Sequence, residues 1–236
     1  MVLFQFDPVR IFQIYVIQLG MGIVYYLIAL LILKRDTKRL NQIFSAFYIS
    51  SASATVVNVI YAPLTTNPTV LVLHFITFYL FAFAWIFLLI FSLILLKSEK
   101  VITTNKQFLL ILIYGGLLLI LAFIPDGIKI DATTDWKPAW SLLFYLYALI
   151  LVNIFGIIPT AYFSIKIYKK FEDPLLRKKW AYYFLGVAIY FIVFNSTILS
   201  NFLNNPIYRL INSLIGLTLF PTAYLLYYGV GRQIQK

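Results

Sequence analysis

The sequence contains no cysteine, which excludes disulfides, thiolate metal sites and cysteine nucleophiles. Charge is nearly as scarce: 11% of the 236 residues are Asp, Glu, Lys or Arg, against about 25% in an ordinary soluble domain. The single histidine, His74, cannot supply a bis-histidine haem or a three-ligand zinc site. None of the eight acidic residues falls inside a long apolar run, so the paired carboxylates of general acid–base chemistry and of ion-coupled transport are missing there. The last apolar run holds no lysine, which excludes a retinal Schiff base of the opsin kind. These absences argue against an enzyme, and no cofactor or metal is expected. What is abundant is apolar surface: 62% of residues are hydrophobic and the mean hydropathy is +0.91. A soluble core could not hide so much, because a domain of a few hundred residues still leaves about a quarter of its chain surface wet. An integral membrane protein is implied, despite a net charge of +11 that might otherwise suggest a nucleic-acid partner.

In lipid, every backbone polar group must find its partner within the chain, so apolar runs of about 20 residues read as spanning helices. Seven are present, at 11–33, 43–62, 69–96, 107–125, 141–168, 180–203 and 208–230. The expected fold is all-α, a single domain over residues 1–236 forming a bundle of seven transmembrane helices. The third and fifth runs exceed what a bilayer needs and are expected to tilt or to extend past its surface. Asp7-Pro8, Asn67-Pro68, Asp173-Pro174 and Asn205-Pro206 each place a capping side chain before a proline. Proline suits the first helical position, where its missing N–H has no partner to lose. Pro159 and Pro221 fall inside the fifth and seventh runs and are expected to kink them. Ala46, Ser50, Ala54 and Asn58 give the second helix one small-residue stripe for close packing. The first run lacks a basic leader and is followed by Lys34-Arg35-Asp36-Thr37-Lys38-Arg39, so it is expected to be a retained span rather than a signal peptide.

Lysine and arginine favour cytoplasmic loops. Fifteen of the nineteen basic residues lie in or beside the first, third and fifth connections and in the C-terminal tail, which this topology puts on one side. The other side holds Arg10, Lys129, Lys137 and Arg209, and the acidic residues divide equally, so the whole net charge of +11 belongs to the first side. The N-terminus is therefore expected outside and the C-terminus in the cytoplasm of a cell membrane. Trp136 and Trp140, in the longest outer connection, stand where an aromatic belt is expected.

Among candidate functional residues, His74 reads as a neutral histidine bonded to a neighbouring helix or, alternatively, as a ligand or pH-sensing group. Gln18, Asn58, His74, Tyr147, Asn195 and Asn212 fall at comparable depth toward the outer side, together with Gln13, Thr77, Tyr145, Asn201 and Ser213. Two readings remain open for this set. It is interhelical glue at about 0.6 kcal/mol per group, or it lines an outward-opening pocket for a small or lipid-like ligand. Arg35, Lys38, Arg39, Lys169, Lys170, Arg177, Lys178 and Lys179 form a basic face toward membrane lipids or a cytoplasmic partner. Each base near an anionic leaflet contributes about 1 kcal/mol. Topology alone explains that charge, so no nucleic acid is implied.

Four stretches carry a resemblance. They are Lys34-Arg35-Asp36-Thr37-Lys38-Arg39-Leu40-Asn41-Gln42-Ile43-Phe44-Ser45-Ala46-Phe47 after the first run, His74-Phe75 in the third, Asp173-Pro174-Leu175-Leu176-Arg177-Lys178-Lys179 leading to Gly186, and Tyr228-Gly229-Val230-Gly231-Arg232 at the last exit. With these, residues 11–231 resemble the seven-helix membrane sensor region at the N-terminus of certain prokaryotic histidine kinases and related signalling proteins. The resemblance implies a sensor that passes an outer or intramembrane stimulus across the bilayer. No effector follows Lys236 in the sequence, so a separate signalling partner is expected. Two other classes stand beside this one. A small-solute transporter would show two related halves around a midplane site, and an accessory subunit would co-purify with a larger membrane complex.

Overall fold

The computed structural model describes residues 8–231, so Asp7, Arg232 and Lys236 of the charge and motif readings lie outside the described residues. Seven helices are long and apolar enough to cross a membrane: α1 (Phe12–Arg35), α2 (Arg39–Tyr61), α3 (Thr69–Lys97), α4 (Thr104–Phe123), α5 (Leu142–Lys170), α6 (Pro174–Leu203) and α7 (Pro206–Val230). One helical turn, Pro8–Ile11, leads into α1. Between α4 and α5 the chain forms a small antiparallel hairpin of β1 (Ile128–Lys129) and β2 (Ala139–Trp140), with Ile128 opposite Trp140.

The starts of α6 and α7 are set by local hydrogen bonding rather than by where hydropathy rises. α6 begins at Pro174, ahead of the apolar run at 180, because the Asp173 carboxylate accepts from the Leu175 N–H at 2.8 Å and Pro174 opens the first turn. Asn205 caps α7 in the same way, accepting from the Ile207 and Tyr208 N–H groups at 2.9 and 3.1 Å. Asn67-Pro68 departs from the expected pattern. Its peptide bond is cis, Pro68 precedes the helix, and Asn67 donates its amide to the Ile130 carbonyl at 3.1 Å instead of capping α3.

The two interior prolines act where expected. α5 passes through a π-helical turn at Asn153–Ile157 just before Pro159, and α7 breaks at residues 217–218 just before Pro221. A proline has no N–H for the carbonyl four residues earlier, and the helix relaxes at that point.

α2 and α3 are the most enclosed helices and α4 the least. α4 exposes Phe108, Leu109, Leu112 and Ile113, and α7 exposes Ile207, Leu210, Ile211 and Leu214. In each helix these positions fall on one stripe at helical spacing. Large apolar side chains facing outward around the bundle suit a lipid surroundings, and the architecture is that of a multi-pass membrane protein.

Polar side chains knit the bundle. Ser50 Oγ donates to the Leu80 carbonyl at 2.8 Å, Tyr48 Oη to the Ala223 carbonyl at 3.0 Å and Tyr114 Oη to the Ala82 carbonyl at 3.0 Å. Around them lies an aromatic core in which Phe44 stacks on Phe91 at 4.7 Å between centroids and Trp180 on Tyr183 at 4.4 Å. This core fills the half of the bundle nearest the basic connections. Gly229 lets α7 touch α6 there: a Cβ at that position would lie 2.6 Å from the Tyr183 nitrogen and 2.8 Å from the Lys179 carbonyl oxygen.

Candidate functional site

The opposite half of the bundle is built differently. A cavity of about 300 Å³ opens among α1, α2, α3, α6 and α7, under the hairpin. Counted at 1.5 Å per helical residue, Gln18 and Asn212 each lie roughly 9 Å along their helices from Phe12 and Pro206. His74 lies roughly 7.5 Å from Thr69, and Asn58 roughly 4.5 Å from Tyr61 at the end of α2. These four residues line the same cavity, as do Gln13, Thr77, Asn201 and Ser213. The walls between them are apolar, with Ile17, Met21, Phe78, Val193, Phe194 and Leu219.

Two of the surrounding helices are irregular at this level. α1 starts as a π-helical stretch, Phe12–Gln18, and the break in α7 at 217–218 falls between the lining residues Gly216 and Leu219. A π-helical turn widens the helix and re-aims its side chains, which brings Gln13, Ile14, Ile17 and Gln18 to one wall.

The hairpin covers the cavity because two arginines bind it. Arg10 donates from Nη2 to the Ala62 carbonyl at 3.0 Å and the Trp136 carbonyl at 3.1 Å, and from Nη1 to the Asp135 carbonyl at 3.2 Å. Asp135 and Trp136 both have positive φ, 50° and 54°. This left-handed pair curls the chain so that two successive carbonyls face one guanidinium, at a backbone cost of order 1 kcal/mol per residue. Arg209 Nη2 donates to the Pro138 carbonyl at 2.6 Å and to Asn204 Oδ1 at 2.9 Å. Within the hairpin, Thr133 donates its hydroxyl at 2.6 Å and its amide at 2.8 Å to Asp131. These hydrogen bonds, with Lys129 alongside, hold the Asp131 carboxyl below the ordinary carboxylate range.

Trp140 does not sit in an aromatic belt. The hairpin folds back onto the bundle, Trp140 is 5% exposed, and Trp136 packs with Tyr61, Val70 and Ile130 in a small cap cluster. Trp140 Nε1 donates to His74 Nε2 at 3.0 Å, and His74 Nδ1 meets Tyr61 Oη at 2.8 Å. An indole N–H can only donate, so Nε2 is the bare nitrogen and the imidazole proton sits on Nδ1. His74 is thus a neutral imidazole with both nitrogens committed, which is the plainer of the two readings of this residue.

The expected polar set divides. Asn58 is 7% exposed, its side chain bonds to no described residue, and the accessible part of its amide opens on the cavity. Gln18 Oε1 and Asn212 Oδ1 are enclosed without a donor. Tyr147 and Asn195 are elsewhere. Tyr147 Oη donates to the Leu117 carbonyl at 3.2 Å, joining α5 to α4. Asn195 Oδ1 accepts from Asn153 Nδ2 at 2.9 Å, joining α6 to α5, while its own amide donates to the Phe191 carbonyl at 3.0 Å. Tyr145 stacks on Phe202 at 4.5 Å, also away from the cavity. The lining also includes Arg10, Tyr61, Lys137, Trp140, Thr197 and Arg209, which the depth argument did not select. Three of these are basic residues on the side poor in them, and that was the available signal.

At the other end, Lys38, Lys169, Lys170, Arg177 and Lys178 are exposed, and Arg35, Arg39 and Lys179 are half-buried. Arg39 Nε donates to Gln107 Oε1 at 2.8 Å, Lys38 pairs with Asp36 at 3.3 Å, and Arg177 lies 4.7 Å over the Tyr168 ring. The three guanidinium nitrogens of Arg35 are enclosed without a hydrogen bond. Among the described residues, no group of three or more His, Asp or Glu could hold a metal ion.

No protein-family model matches this chain, and no curated protein or solved structure matches it significantly.

Proposed function

We propose that this chain is a non-enzymatic, receptor-like sensor of the cell membrane. It binds a small or lipid-like ligand in the hairpin-end cavity and reports to a separate partner through the basic connections at the other end. The carrying observation is the cavity itself, where Gln18, Asn58, His74 and Asn212 converge from four helices. A lining of amides, hydroxyls and an already committed imidazole offers hydrogen bonds rather than a base or a nucleophile, and a recognition role follows from that chemistry. The charge asymmetry supports the orientation, since it assigns the hairpin end to the outside and the basic end to the cytoplasm. The resemblance to seven-helix sensor regions points the same way.

A ligand that binds only the folded state raises stability by about 2.7 kcal/mol at a hundred times its Kd. The test is a thermal-melting screen of the purified protein against small and lipid-like compounds. One or more compounds should raise the Tm of the wild type and leave a folded Asn58→Leu, Asn212→Leu double variant unmoved. If the double variant melts early and no compound shifts either protein, the groups are glue and the reading fails.

One observation favours a second reading. The break in α7 and the π-helical start of α1 flank the cavity, as interrupted helices flank the sites of secondary transporters. Solute uptake into proteoliposomes above that of empty vesicles would favour transport over sensing.

A further inference from the structure

Resting on the reading of the cavity as a ligand site, we infer that its ligand is an uncharged amphiphile: an apolar body whose single polar group, a hydroxyl or a carboxamide, both donates and accepts hydrogen bonds. Asn58 supplies the first argument. The residue is more than nine-tenths buried, its amide carries two donor hydrogens and an acceptor oxygen, and it bonds to no described residue. An amide left unpaired against apolar walls is costly, and a ligand group that both donates and accepts meets its two roles at once.

Tyr61 supplies the second. Because Trp140 donates to His74 Nε2, the Nδ1–H of His74 donates to Tyr61 Oη. The tyrosine hydroxyl is then an acceptor toward His74 and keeps its own hydrogen. No described residue accepts that hydrogen, and Tyr61 lines the cavity. The site therefore offers a donor for the ligand's oxygen.

Asn212 supplies the third. Thr197 Oγ1 gives its hydrogen to the Val193 carbonyl at 2.9 Å, so it can only accept from Asn212 Nδ2, 3.4 Å away. That fixes the amide with Nδ2 toward Thr197 and leaves Oδ1 as an acceptor in want of a donor. Gln18 Oε1 is likewise enclosed without a donor.

Charge is disfavoured in the depth of the cavity. Its walls there are Ile17, Met21, Phe78, Val193 and Phe194, and its three basic residues, Arg10, Lys137 and Arg209, stand toward the hairpin and are already engaged, the two arginines with backbone carbonyls. A carboxylate or ammonium among those walls would lose its hydration and meet no counter-ion that is not already committed. The volume sets the size. About 300 Å³ is the lower limit of sites for drug-sized ligands, so a single chain or a small ring system fits and a two-chain phospholipid does not.

The experiment uses the full chain in nanodiscs and a matched series on one body: 1-decanol, decanamide, decanoate, decylammonium and decane. Saturable binding of tritiated 1-decanol is measured by scintillation proximity, with the others as competitors. Expected are competition by decanamide alone and a loss of about tenfold in affinity for Asn58→Leu, the scale of one unmet buried hydrogen bond. Asn58 spends no hydrogen bond on the protein, so this variant should keep the wild-type melting temperature. Tyr61→Phe, as the second variant, should weaken decanol by about fivefold. Preferred binding of decanoate or decylammonium that still depends on Asn58 overturns the uncharged class and leaves the cavity as a ligand site. Saturable binding of none, or binding of decane and decanol alike that ignores Asn58→Leu, overturns both.

Discussion

The two halves of this bundle solve the same packing problem in opposite ways. At the basic end, Phe44, Phe91, Tyr183 and Trp180 stack on one another, and Gly229 lets α6 and α7 touch. At the hairpin end, α1 and α7 lose regular helical geometry, and the space between them stays open and edged with amides. The net positive charge collects at the filled end. The difference teaches that at the basic end stacked rings fill the space between helices, whereas at the hairpin end Phe78, Trp140 and Phe144 pack one wall and the other stays open, so single lining residues there carry less of the stability.

The strongest way to break this comparison is to empty the filled half. Phe91→Ala removes a fully buried ring stacked on Phe44 and should cost about 3–5 kcal/mol. The readout is the Tm in detergent. If a lining change such as Asn58→Leu destabilised the protein as much, the division of labour would be wrong. Next in size is Arg10→Gln, which strips the guanidinium from three carbonyls and should cost about 2–3 kcal/mol. That loss should be local, seen as faster hydrogen exchange over residues 127–140 with α2 and α3 unchanged. Gly229→Ala forces α6 and α7 apart and should cost about 1–2 kcal/mol, read again by thermal melting.

Smaller still is Asn195→Ala, which removes one α5–α6 link. A loss near ~0.6 kcal/mol is expected, with no change in ligand response, and a changed response would blur the line between glue and cavity. The least effect is expected from acid. The Asp131 carboxyl titrates below the ordinary 3.8, chiefly through the Thr133 hydroxyl. Its contribution to the hairpin is therefore complete above that value and fades as pH falls through the lower folded one. Hydrogen exchange at the Thr133 amide reports it. Protection that faded instead as the pH rose would reverse the sign.

Much of the fold is legible residue by residue. Asp173 and Asn205 cap helices because a short acceptor before proline meets the unpaired N–H groups of the first turn, whereas Asn67 turns its amide to the Ile130 carbonyl and caps nothing. Pro159 and Pro221 interrupt their helices for an equally local reason. The site is only half legible. Gln18, Asn58, His74 and Asn212 share a depth and a cavity, whereas Tyr147 and Asn195 share the depth and face other helices. Depth follows from counting along a helix. Facing depends on how each helix is rotated against its neighbours, and in apolar helices hydrophobic periodicity says little about rotation because both lipid and core are apolar.

Trp140 marks the same boundary. By composition it belongs to a membrane interface, but the hairpin turns it inward to His74, and that single bond decides the tautomer and frees the Tyr61 hydroxyl hydrogen. The sequence by itself determined the number of spans, their approximate ends and the concentration of charge, because each depends on the length and polarity of a local segment. The tertiary structure alone decided which amides are paired and which are left over. Hydrogen bonds between helices depend on contacts tens of residues apart, which no local segment contains.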